Sequence, residues 1–226
     1  VYGRSDRFYI RLFEQETDMD CTVFLDCSRS MAYGNALSKL RYASFFAAAL
    51  AYLVVRNGDR VGMHLFDEGI RHSFPHGGTR KHLDQLFNAL QRSTAERETN
   101  TAEALRRALP VLRRRGLLLV LSDFLDEPAA IFEALAPYLH RGFRICLYQI
   151  LCPEEIELPN TGMVTFEDME TGRRLRANTP EIRTAYAEAI NQHIRVLRQM
   201  AARRQVRFIA ARTDRSFYQL LDALNE

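Results

Sequence analysis

Cys21-Thr-Val-Phe-Leu-Asp26-Cys-Ser28-Arg-Ser30 is the stretch on which the reading of this chain turns. Its first five residues carry no charge, and Thr22, Val23 and Phe24 are β-branched or aromatic. Bounded by Asp20 and Asp26, they read as a strand buried on both faces, the kind that parallel sheets covered by helices require. Leu117-Leu-Leu-Val-Leu121 repeats the signal after Gly116 and also ends on an acid, at Ser122-Asp123. Helical patterns alternate with further strand-like runs around these two. The spacing predicts an apolar helix over 38–57, stopped by Gly58, a strand over 60–66 and a hairpin partner over 69–74. It predicts helices over 80–91, 102–115 and 128–140, and a strand over 143–151. A hairpin follows over 163–175, turning at Glu170-Thr171-Gly172. A long helix then runs from a Thr179 cap with Pro180 in its first position to about 204, before a strand over 206–210 and a helix over 216–224. Such alternation predicts an α/β fold: a doubly wound, mostly parallel sheet with one antiparallel edge strand.

The chain has 226 residues, 47% of them hydrophobic and 26% charged, which excludes a disordered or fibrous protein. Residues 1–20 read as an N-terminal extended segment and 21–226 as one domain, with a hairpin insertion near 160–178. The net charge is +3, too balanced to name nucleic acid or a membrane surface as partner. Of the 31 basic residues, 29 are arginine and only Lys39 and Lys81 are lysine. The longest apolar run, from about Tyr42 to Val55, falls short of the roughly 20 residues that span a bilayer. Cys21, Cys27, Cys146 and Cys152 form no C-x-x-C pair, so they read as free thiols of a cytoplasmic protein. Val1 stands where an initiator methionine would, which reads as a fragment whose upstream sequence could change that localisation.

Chemistry concentrates where the two buried strands end. In a parallel sheet the ligand crevice lies beyond the carboxyl ends of the strands. Asp26 and Asp123 stand there, with Ser28 and Ser30 two apart on the loop leaving the first strand and Thr99-Asn100-Thr101 ahead of a helix. Two carboxylates and several hydroxyls are hard oxygen donors, suited to Mg2+, Mn2+ or Ca2+. With hydroxyls innermost and carboxylates acting through water, a bound ion keeps much of its positive charge and seeks an anionic oxygen from outside. That describes docking of a carboxylate rather than hydrolysis. Elsewhere the acids Glu14, Glu16, Asp18 and Asp20 read as a solvated edge, Cys27 as a small buried filler, His72 and His76 as surface loop residues, and His193 as a packing or rim residue. Arg113, Arg114 and Arg115 read as cations at the negative end of a helix dipole.

These residues resemble the metal-ion-dependent adhesion site of the von Willebrand factor A domain, whose pattern is D-x-S-x-S, then Thr, then Asp. The match falls on Asp26, Ser28 and Ser30, then Thr99, then Asp123, with Met31 directly after the second serine. The resemblance implies direct metal contact by Ser28, Ser30 and Thr99 and mostly water-mediated contact by Asp26 and Asp123, the ion being Mg2+ before Mn2+ or Ca2+. Arg29 stands where such sites often carry glycine, and Glu98 where a glycine often precedes the threonine, so Thr101 remains open as an alternative to Thr99. Over nearly its whole length the chain is further similar to the domain of unknown function 58 family. The segments carrying this are Phe8 to Thr17, L-D-C-S-R-S-M-A-Y-G, G-D-R-V-G (Gly58 to Gly62) and S-D-F-L-D (Ser122 to Asp126). That family implies a prokaryotic protein, often accompanied by MoxR-type AAA+ ATPases in assembly or metal-insertion chaperoning, and supplies no settled activity.

Two functions are weighed. The first is a metal-dependent module that captures an Asp or Glu of a protein partner, possibly a MoxR-type ATPase, and is not an enzyme. The alternative is a Mg2+-dependent phosphohydrolase of haloacid-dehalogenase type with Asp26 as nucleophile, which needs a second acid two residues later. Ser28 occupies that position, so the scheme lacks its proton donor. No G-x-G-x-x-G, G-x-x-x-x-G-K or G-x-S-x-G occurs to support nucleotide binding or a serine hydrolase.

Overall fold

A computed structural model of the chain describes residues 20–96, 100–112, 115–168, 172–222 and 224. All of the predicted extended segment except Asp20, including the acids Glu14, Glu16 and Asp18, and the pair Arg113 and Arg114 lie outside these residues, as does Thr99. A six-stranded sheet runs in the order β3-β2-β1-β4-β5-β8, formed by β1 (Asp20–Asp26), β2 (Arg60–Phe66), β3 (Ile70–Gly77), β4 (Gly116–Ser122), β5 (Arg144–Leu151) and β8 (Arg207–Arg212). All neighbours pair in parallel except β2 with β3, which close the edge as an antiparallel hairpin. β6 (Met163–Glu167) and β7 (Arg174–Asn178) form a separate antiparallel ribbon, the predicted insertion.

Alternation along the two central strands decides which helices cover which face. Cys21, Val23 and Leu25 of β1 and Leu117, Leu119 and Leu121 of β4 belong to one apolar core, packed by α1 (Lys39–Arg56), α2 (Arg80–Arg92) and α7 (Tyr218–Asp222). Phe24, Leu118 and Val120 point the other way into a second core, closed by α3 (Thr101–Ala108), α4 (Pro128–His140) and α6 (Thr179–Arg203). A short α5 (Pro153–Ile156) follows β5. Every residue of β1 and of β4 is buried, so these strands need apolar side chains on both sides, as their sequences supply.

The structure alters four predictions. The helix expected over 102–115 ends at Ala108, because Pro110 lacks the N–H for the next turn and its ring opposes the preceding carbonyl. Arg115 therefore does not cap a helix dipole. His72 and His76 lie on β3 rather than in a loop, and Pro75 is accommodated at a register shift in this edge strand. His76 Nε2 is 2.9 Å from Thr22 Oγ1. Asn178, not Thr179, is the cap residue of α6, and the Thr179 hydroxyl donates to Gly162 O at 3.0 Å, tying the helix start to the ribbon. Asp20 is no solvated edge: it is buried at the start of β1 and pairs with Arg60 at 2.7 Å.

Gly116 fixes how closely β4 approaches β1. It is opposite Asp20, and a Cβ on it would lie 2.0 Å from the Asp20 carbonyl oxygen, a backbone atom that cannot swing aside. Gly116→Ala is therefore expected to destabilise the fold by about 1–3 kcal/mol, the range of overpacked cores. The check is a lower urea midpoint with an unchanged slope.

Candidate metal and docking site

The strand order reverses direction between β1 and β4, so the crevice of the doubly wound sheet opens beyond their carboxyl ends. Asp26 closes β1 there, fully buried, and its two oxygens are both engaged. Oδ1 accepts from the Ser28 backbone N–H at 2.8 Å, which turns the chain sharply, and Oδ2 accepts from Ser122 Oγ at 2.6 Å. The turn continues as a short 3-10 helix over Arg29–Ala32, anchored by the buried Met31. Its effect is to bring the Ser28 and Ser30 hydroxyls within 3.1 Å of one another, as the spacing predicts. Arg29, by contrast, points out of the site and donates to the Glu96 carbonyl at 3.0 and 2.8 Å.

Asp123 follows β4 in a tightly held loop. Phe124 has φ +49, a left-handed conformation uncommon for a bulky residue, and is fully buried. Three side chains over-determine this backbone: Ser122 Oγ accepts from Phe124 N at 3.1 Å, Gln149 Nε2 donates to Asp123 O at 3.0 Å, and the His193 ring nitrogen donates to Phe124 O at 2.7 Å. The third loop arrives at the start of α3. Asn100 caps that helix by accepting from Glu103 N at 2.9 Å, and Thr101 N donates to Asp126 Oδ2 at 3.0 Å. Thr101 is fully buried, and its hydroxyl has no hydrogen-bond partner among the described residues.

Asp26, Ser28, Ser30 and Asp123 thus stand on adjoining loops of one crevice, and the threonine loop is pinned to the Asp123 loop through Asp126. Position 99 itself lies outside the described residues. The structure adds residues that the sequence reading passed over. Lys39, at the first turn of α1, is fully buried and donates to Asp123 Oδ2 at 2.8 Å and Glu155 Oε1 at 2.5 Å. Gln149, His193 and Ser122 shape the loop backbone.

Electrostatics mark the crevice as short of positive charge. Burial, and then the neighbouring Asp123, push the Asp26 carboxyl up to about 7, against hydrogen bonds from Ser122 and Ser28 that pull it down. Burial likewise raises Glu155, against Lys39. Burial alone would lower Lys39, but Asp123 and Glu155 outweigh it and hold the ammonium above the ordinary lysine range. Two carboxylates with hydroxyl oxygens suit a hard divalent cation. No cluster of three or more His, Cys, Asp and Glu side chains able to hold a metal, carboxylate clusters included, occurs among the described residues. A cavity of about 500 Å³ lies behind the loop between β2, β3 and α2, lined by Cys27, Leu65, Arg71 and Phe74 among others, but none of the candidate ligands faces it.

The fold is a doubly wound α/β sheet covered by helices on both faces, with an antiparallel hairpin at one edge. The chain belongs to the family of proteins of unknown function DUF58, whose profile matches residues 1–196. Proteins of Mycobacterium tuberculosis and Mycobacterium bovis, described only as uncharacterized, are 25% identical over 198 residues, 85% of this chain. The chain spans 62% of the length of these relatives. Among solved structures, BatB from Bacteroides thetaiotaomicron superposes with a TM-score of 0.63 at 16% identity, over 92% of this chain and 95% of that one. An aerotolerance-related membrane protein from Bacteroides fragilis gives 0.60 at 17%, over 92% and 96%. The pilus adhesin SpaC from Lactobacillus rhamnosus gives 0.58 at 12%, over 94% of this chain and 30% of that one. These likenesses establish the shared fold.

The raised Asp26 has a measurable consequence. Between its ordinary 3.8 and about 7 the folded protein holds a proton that the unfolded chain has already released. Without divalent cations, stability is therefore expected to fall as pH rises through that interval and to level off above it. Asp26→Asn should flatten this component, read as the difference between the two proteins' denaturation midpoints from pH 4 to 8.

Proposed function

We propose that this domain is a metal-ion-dependent protein-interaction module. Asp26, Ser28, Ser30, Asp123 and a threonine, Thr99 with Thr101 as the alternative, would hold a divalent cation, Mg2+ before Mn2+ or Ca2+. Bound there, the cation would offer a Lewis-acidic position to an Asp or Glu of a partner protein. The observation that carries this reading is the closeness of buried Asp26 and Asp123 beside two hydroxyls 3.1 Å apart, together with the hydroxyl of buried Thr101, which has no partner among the described residues. Buried carboxylates forced together favour a cation between them.

The chain's own residues perform the rest. Ser122 and the Ser28 N–H orient Asp26, and Gln149 and His193 clamp the backbone around Asp123. The resemblance of the D-C-S-R-S motif to von Willebrand factor A domains supports a role in protein interaction. The partner proposed is a MoxR-type AAA+ ATPase, in a cytoplasmic assembly or chaperone system. No helix among the described residues is long and apolar enough to cross a membrane. Turnover is not part of the proposal. Ser28, the residue a phosphohydrolase would need as an acid, is a buried serine whose hydroxyl faces Ser30.

Thermal melting after chelation, with each cation titrated back, tests the site. A cation that binds only the folded state stabilises it by RT ln(1 + [L]/Kd), about 2.7 kcal/mol at a hundredfold excess. Asp26→Ala is expected to abolish the shift and Ser28→Ala to weaken it, with Ala at Thr99 costing more than Ala at Thr101. Equal cation responses in wild type and Asp26→Ala would remove the metal-dependent reading. In a paired binding assay the purified ATPase is expected to associate in Mg2+ and dissociate in EDTA.

A further inference from the structure

Lys39 is one of two lysines in a chain that otherwise uses arginine, yet none of its surface reaches solvent. It is placed by construction rather than by chance: Ser38 caps α1 by accepting from Arg41 N at 3.3 Å, and Lys39 N donates to Tyr33 O at 2.9 Å. The stem therefore enters the crevice from the loop that carries Ser28 and Ser30. Its ammonium engages one oxygen of Asp123, and the other accepts a long 3.5 Å contact from Leu125 N. On its far side it meets Glu155, whose second oxygen accepts from Cys152 N at 2.8 Å and whose carbonyl accepts from Tyr186 OH at 2.9 Å. Glu155 is thus fixed in place by the cap of its own helix, α5, and by α6.

A buried ion group of this kind adds little stability, because desolvation offsets most of the attraction. Its position suggests another role. We propose that Lys39 and Glu155 set the cation affinity of the crevice: the ammonium neutralises Asp123 from the protein side and so weakens cation binding, while Glu155, one step farther out, partly offsets that ammonium. This rests on the metal-dependent reading above and assigns it two residues outside the ligand set. Coulomb's law fixes the signs. Removing the nearer positive charge tightens binding of a divalent ion, and removing the farther negative charge loosens it.

The experiment is Mn2+ binding, followed by the electron paramagnetic resonance signal of the free ion, in wild type, Lys39→Met and Glu155→Gln. Circular dichroism and cooperative melting verify that each is folded. Lys39→Met is expected to bind Mn2+ about tenfold or more tightly and Glu155→Gln several-fold more weakly. Unchanged or lost binding in folded Lys39→Met, or unchanged or tighter binding in Glu155→Gln, overturns the proposal while the metal site stands. If Lys39→Met does not fold, Glu155→Gln decides alone. A wild type that binds no Mn2+ overturns the metal-dependent reading, and this one with it.

Discussion

The hydrogen bond from Ser122 Oγ to Asp26 Oδ2, 2.6 Å long and closed to solvent, joins the ends of the two central strands where the sheet changes direction. Its geometry follows from the register of β1 against β4, which places Leu25 beside Leu121 and so leaves Asp26 and Ser122 as the next residues out. Cys27 N, donating to Phe66 O at 2.6 Å, continues the ladder to β2 on the other side. With Asp26 held on both sides, the chain turns back through Ser28, and the hydroxyls of Ser28 and Ser30 come together.

That arrangement has an electrostatic cost which the fold carries at one point. Asp26 and Asp123 are close and dry, and the Lys39 ammonium that pairs with Asp123 also serves Glu155. Phe124 adds backbone strain of the order of 1–3 kcal/mol for a non-glycine residue in a left-handed conformation. Such strain persists only when its surroundings enforce it, and Ser122, Gln149 and His193 do so from β4, β5 and α6. The cores on the two faces of the sheet provide the rigidity for this, since Leu118 and Val120 on one side and Leu119 and Leu121 on the other leave the strand no freedom to shift.

Much of this was legible in the sequence. Strands buried on both faces announce themselves as unbroken apolar runs, and the strands over 60–66 and the helix over 128–140 match their observed bounds. Local signals failed where a neighbour overruled them. Pro110 ended α3 early, and Pro75 hid the extension of the predicted edge strand through His76 to Gly77, because a shifted register absorbs a proline that regular pairing would reject. Lys39 gave no pattern at all. A single lysine in the first turn of an apolar helix reads as an exposed end, and its partners Asp123 and Glu155 lie 84 and 116 residues away.

The sequence by itself determined the class of fold, because hydrophobic periodicity is a local property that burial enforces residue by residue. It also placed Asp26, Ser28, Ser30 and Asp123 at one crevice, because D-C-S-R-S after one buried strand and S-D after another must meet there once the strands are parallel neighbours. Only the tertiary structure decided the charge around those donors. The pairing of Lys39 with Asp123 and Glu155 and the clamp of His193 on Phe124 are contacts between segments far apart in the chain. Their energies depend on distance and desolvation, which exist only once the helices have packed onto the sheet.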